Sequence, residues 1–348
     1  MLRNDDSIPS MMNRRHLLAL PMLLAAPALA QERVVNVYSS RHYDSDRDLW
    51  EVFSRGSGIR VRVIEAQVDQ LLERIRAEGA NSPADVLVTV DIGRLARAKE
   101  LNLLQPFASP QLAARIPAHL RDPDNQWFGF TMRARVVMFD KAQGLPAGLA
   151  RYEDLSKPEF RGQVLTRSSG NIYSIGWTAS MLAANGAEAT EAWARGIAAN
   201  LARPPAGGDT DQIRAMGAGQ GRLAVSNTYY LGLLHRSARA EDRALAERVG
   251  VLFPNQADRG THVNVSGAGI IRNAPNREAA QAFLEYLSGP QAQAIFAEGN
   301  MEYPVVADAA VHPFLRGLGD FRQDPVSAST LSAAMPEALR LMQRAGWR

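Results

Sequence analysis

The sequence predicts an α/β protein of two lobes, each a mostly parallel sheet flanked by helices, joined by two crossovers into a hinged clamshell. Three observations carry that expectation. Strand and helix patterns alternate from residue 34 to 99, two closely spaced strand patterns at 127–139 precede a fresh alternation, and a late strand at 262–271 is followed by more helices. The chain therefore crosses between lobes twice. Its 348 residues accommodate two domains of roughly 150 residues each.

Taken in order, the first strand reads over 34–38, a helix over 46–55 is closed by Gly56 and Gly58, and an alternating strand follows over 59–64. A helix over 69–78, a buried strand over 85–88 and a helix over 92–99 continue the rhythm until a proline-punctuated segment at 106–123. WFGFT (127–131) and RVVMF (135–139) read as two strands that carry the chain into the second lobe. There, 164–165 is a strand, 173–184 and 188–199 are helices, and 211–216 is a short helix with Asp209 or Thr210 as its cap. A buried strand at 223–225 runs into SNTYYLG (226–232); the strand at 262–271 returns the chain, and helices follow at 277–287 and 290–298. The expected lobes are 31–132 plus 264–316, and 133–263 plus 317–348.

Residues 1–30 stand apart as an export signal. Asn13-Arg14-Arg15-His16 leads into an apolar run ending at Ala28-Leu29-Ala30, too short for the ~20 apolar residues of a membrane helix and suited to cleavage after Ala30. The arginine pair before Leu17-Leu18 resembles a twin-arginine export signal, with a Sec signal as the alternative. Removing the signal takes three basic and two acidic side chains from totals of 39 and 36, leaving a formal +2. That near-balance, without a clustered basic run, gives no footprint for nucleic acid. The absence of cysteine excludes zinc–thiolate, iron–sulfur and disulfide chemistry, and leaves no attachment point for a lipid anchor. A periplasmic monomer is the expectation.

HExxH, GxxxxGK[ST] and GxSxG do not occur, and no nucleophile–base pair is evident, so no enzyme is expected. His119, His235, His262 and His312 read as isolated structural or solvated residues, whereas His42 lies in SSRHY (39–43), between the first strand and first helix. Ligands of parallel sheets collect beyond such strand ends. Of eight tyrosines, Tyr43, Tyr173, Tyr229 and Tyr230 each fall at a loop or helix start, while Tyr38, Tyr152, Tyr286 and Tyr303 read as packing or turn residues. One such phenol is ordinarily a core cap with its hydroxyl in water; four in equivalent places point to a shared object.

The segments VYSSRHYDSD, RARVVMFD, RPPAGGDTDQIRAMGAGQG, SNTYYLG and EYPV make the chain from about Val34 to Val306 resemble the ferric-iron-binding proteins of bacterial iron ABC transporters. The resemblance implies a type II periplasmic-binding-protein clamshell and Fe3+ as the transported ligand. It makes Tyr229, Tyr230 and Tyr173 ligands from the second lobe, with His42 and Tyr43 the contribution of the first. It further implies an inner-membrane permease and its ATPase as partners, and a synergistic anion such as carbonate near Arg133 and Arg135. Arg203 becomes a candidate neighbouring cation.

The chemistry agrees. Ionising a phenol of pKa near 10 at pH 7 costs roughly 4 kcal/mol, and four cost on the order of 16. A hard trication repays that, whereas calcium, magnesium and zinc prefer other donors. Three positive charges against four phenolates leave −1, for which arginine is the natural partner. The rival reading keeps the fold and fills the cleft with a small organic anion or a polyamine.

Overall fold

The computed structural model describes residues 32–41 and 43–348; the expected export signal and His42 lie outside them. The predicted alternation is present: β1 (Val34–Ser39), α1 (Asp46–Ser57), β2 (Arg60–Glu65), α2 (Val68–Glu78), β3 (Val86–Thr89) and α3 (Ile92–Glu100). Short β4 (Leu104–Gln105) and α4 (Pro110–Arg115) occupy the proline-punctuated segment, and β5 (Phe128–Asp140) follows. Here the structure departs from expectation, because the two predicted strands are one strand of 13 residues. The charge of Arg133 reads as an interruption in sequence, yet the residue is fully buried against a carboxylate, and the strand runs through it.

The chain continues through β6 (Val164–Leu165), α5 (Ile172–Asn200), α6 (Asp209–Gly217), β7 (Leu223–Asn227), α7 (Thr228–His235), α8 (Ala240–Arg248) and β8 (Val249–Leu252). Within α5, Gly186 adopts φ 78° and ψ 173°, so two helices meet end to end at the predicted division. The cap of α6 is Gly208 instead of Asp209 or Thr210: Asp211 accepts from Gly208 N at 2.7 Å, which leaves Asp209 to turn inward. Then come β9 (Val263–Ile271), α9 (Arg277–Leu287), α10 (Pro290–Asn300), β10 (Tyr303–Pro304), α11 (Pro313–Arg316) and α12 (Ala328–Arg344).

The strands follow the order β2-β1-β3-β9-β5-β7-β6, with β4, β8 and β10 beside this path. The sheet is mixed, where a mostly parallel one was expected. β1 pairs in parallel with β2 and β3, and β6 with β7, but β9 is antiparallel to β3 and β5, and β5 is antiparallel to β7 and β8. The reason is the return journey: helical crossovers keep strands parallel, and a strand that carries the chain across or back runs against its neighbours. β5 changes partner along its length, pairing with β9 through Ala134 and with β7 from Arg135 onward.

Apolar side chains form two buried cores, the smaller gathered around Tyr152, Trp177, Trp193 and Trp347. Trp177 lies 4.8 Å from Trp193 and 5.8 Å from Trp347, all edge-on, and Trp347 Nε1 donates to Arg167 O at 3.0 Å. Helix α12 packs on both α5 and α3. Trp347→Ala is expected to lower unfolding free energy by about 3–5 kcal/mol through the cavity it leaves, read from denaturant midpoints; a loss below ~1 kcal/mol would mean that the cluster collapses without it.

His262, just before β9, is buried, with its amide donating to Tyr152 Oη at 3.2 Å and its carbonyl accepting from Arg135 N at 2.9 Å. Burial, then repulsion from Arg259, Arg135 and Arg133, lowers its pKa to about 3. The unfolded chain takes up this proton near 6.5 and the folded one only near 3, so stability is held above pH ~6.5 and lost as pH falls from there to ~3. The expected slope is about 1.4 kcal/mol per pH unit, and His262→Gln should remove that component from urea unfolding compared at pH 7 and 4.5.

Candidate metal centre

The paired phenols of SNTYYLG lie in a helix, since β7 ends at Asn227 and α7 starts at Thr228. Adjacent strand residues would point to opposite faces, but adjacent helical residues are only about 100° apart. Both rings therefore share a side, with centroids 4.0 Å apart and planes 31° apart. Tyr173 opens α5, its amide donating to the side chain of the capping Asn171 at 3.0 Å. Tyr43 occupies the turn before α1, its carbonyl accepting from Asp46 N at 3.0 Å. All four phenols thus stand at or before helix N-termini, where unpaired N–H groups and the positive end of the helix dipole favour an anion.

The structure brings the four together. Tyr173 Oη and Tyr229 Oη are 3.3 Å apart. The Tyr43 ring meets Tyr229 edge-on at 6.2 Å, and Tyr173 meets Tyr230 at 6.5 Å. Tyr173 and Tyr229 are buried; Tyr43 and Tyr230 are half-buried. Burial, then mutual repulsion with Tyr43, Tyr173 and Tyr230, pushes the Tyr229 phenol well above its ordinary pKa, while Arg133 works the other way. Burial chiefly raises Tyr43 and Tyr230 as well. Such phenols stay neutral unless a strong cation displaces their protons.

Arg133 and Arg135, two residues apart on β5, flank the cluster with different partners. Arg133 donates to Ser266 Oγ at 2.5 Å and Glu302 Oε1 at 3.1 Å, and its guanidinium carbon lies 5.9 Å from the Tyr173 ring centre. Arg135 donates to Asp209 Oδ2 at 2.7 Å and Asn227 Oδ1 at 3.3 Å. Among the described residues, Nε and Nη2 of both arginines donate to no acceptor. Arg203 braces the turn at Pro204 and Ala206 and reaches Gln212 Oε1 at 3.2 Å, while Arg133 is the expected arginine whose guanidinium lies beside Tyr173.

Two residues escaped the sequence reading. Arg41 pairs bidentately with Asp46 at 2.9 and 3.1 Å, and its guanidinium carbon sits 4.7 Å from the Tyr43 ring centre. Glu302, fully buried, accepts from Arg41 Nη2 at 3.3 Å as well as from Arg133. Glu302 opens the quoted EYPV segment, and Arg41 precedes His42, but nothing local in sequence reveals partners up to 261 residues away. Among the described residues no group of three His, Cys, Asp or Glu side chains is placed to hold a metal.

The mixed α/β sheet and the cluster of phenols and arginines agree with the family that the chain matches. The family model for bacterial extracellular solute-binding proteins matches residues 81–317, and the chain belongs to that family. It is 48% identical over 91% of its length to Iron uptake protein A1 of Synechocystis sp., spanning 88% of that protein. A solved Trichodesmium protein in complex with iron and citrate ligands aligns with a TM-score of 0.87 at 49% identity, over 90% of this chain and 100% of that one. The ferric binding protein from Campylobacter jejuni aligns with a TM-score of 0.85 at 39% identity, over 90% and 100%. Within that family the chain groups with iron uptake and ferric binding proteins, and its fold is the type II clamshell.

Proposed function

We propose that the protein binds Fe(III) through the phenolates of Tyr43, Tyr173, Tyr229 and Tyr230 in a cleft between lobes, and delivers it to an ABC permease and its ATPase as a soluble periplasmic monomer. The observation that carries this reading is the convergence of four phenols from three separate segments, with hydroxyls as close as 3.3 Å. Rings packed this closely suit an ion better than an organic solute. The similarity to an iron uptake protein and to a protein solved with iron and citrate supports the same ligand.

The proposed lobes divide at 132/133, two residues before β5 changes partner between Ala134 and Arg135. Tyr43 then belongs to one lobe and the other three phenols to the second, so the ion bridges them and stabilises closure. The unshared N–H groups of Arg133 and Arg135 favour an anion such as carbonate alongside the iron. His42 remains a proposed fifth donor, and the signal is proposed to be cleaved after Ala30. The role is carriage, with no catalytic step.

Titrating the purified mature protein with ferric citrate tests the reading. An orange-red phenolate-to-iron charge-transfer absorption saturating at one iron per chain is expected; a colourless titration with no bound iron after desalting would overturn it.

A further inference from the structure

The three residues that end α10 and lead into β10 touch the segment that carries Tyr43, helix α7 and Arg133. Asn300 accepts from Ser45 Oγ and donates to Asp46 Oδ1 at 3.5 Å, both in the segment that carries Tyr43. Met301, fully buried, adopts φ 54° at a position where glycine or asparagine is usual. It packs on Gly232, two residues beyond Tyr230: a β-carbon at Gly232 would lie 2.6 Å from Met301 Cβ and 2.7 Å from its Cγ. Glu302 joins Arg41 beside Tyr43 to Arg133 beside Tyr173. A further tie runs the other way, from Arg236 at the end of α7 to the carbonyl of Gly299 at 3.1 Å.

We infer that Asn300–Glu302 is a clasp that fixes the Tyr43 turn and the Tyr229–Tyr230 helix in register with one another, and so sets the geometry in which the phenols meet. The three are positioning residues, and the inference rests on the proposed ferric site for its effect on iron. A glycine at 232 is required because Met301 occupies its side-chain space, and the buried methionine in the left-handed region packs its side chain against α7. The carboxylate of Glu302 holds two guanidiniums that would otherwise repel each other at the floor of the site.

Gly232→Ala and Glu302→Gln test the clasp in the full mature chain. In iron-free protein, hydrogen exchange should quicken in both the 43–46 segment and α7 in each variant, with far-UV circular dichroism unchanged. With ferric citrate, the charge-transfer maximum should shift and affinity fall about 10–100-fold, the range for groups that orient metal ligands. Exchange that quickens in one segment alone, or in neither, overturns the clasp, and so does an unshifted band in both variants. A wild-type protein that takes up no iron would overturn the ferric reading and leave the exchange result to judge the clasp.

Discussion

Replacing Tyr229 and Tyr230 together with phenylalanine is expected to abolish the ferric charge-transfer absorption and weaken Fe(III) binding by about a thousandfold or more, equivalent to about 4 kcal/mol. The two rings stack 4.0 Å apart in the first turn of α7, and phenylalanine keeps that packing while removing both oxygens. Fold stability should therefore change little. Competition against a chelator of known ferric affinity would measure the loss. A double variant that keeps its colour and competes as well as wild type would remove these tyrosines from the site.

Acid should weaken binding almost as severely. Tyr43, Tyr229 and Tyr230 carry raised pKa values, so near neutral pH each holds a proton that iron must expel. Mass action then makes apparent affinity fall by about tenfold per pH unit for each phenol ionised, or about ten-thousandfold for the four proposed ligands. The sign is fixed: protons leave on binding, so affinity drops as pH drops. Chelator competition at pH 8, 7 and 6, corrected for the chelator's own protonation, gives the slope. A slope near zero would mean that neutral donors hold the ion.

Much of this candidate centre was legible in the sequence, and the physical reason is that its phenols lie at element boundaries. Tyr43, Tyr173, Tyr229 and Tyr230 could be picked out because each falls at a loop or helix start marked by the strand and helix pattern, and the structure gathers all four. The counter-charges were less legible. Arg133 and Arg135 could be seen as crossover residues, but the local carbonyls that Arg203 bonds, at Pro204 and Ala206, could not be read from its segment. Glu302 lies 169 residues from Arg133 and 261 from Arg41, and a lone glutamate gives no sign of such partners. The same limit explains the strand split at Arg133 and the parallel sheet that proved mixed. A charge satisfied only at long range, and the direction of a returning strand, are properties of the tertiary arrangement.

The change of partner within β5 bears on how such proteins can be recombined. No flexible linker separates the parts there: a single unbroken strand lends one stretch of its edge to β9 and the next to β7, with Arg133 and Arg135 on either side of the seam. A chimera built by exchanging one half with that of a relative has no loop to cut at this crossing. Its junction must fall inside a buried ladder, where two sets of pairings and two arginine–carboxylate contacts have to survive the graft together.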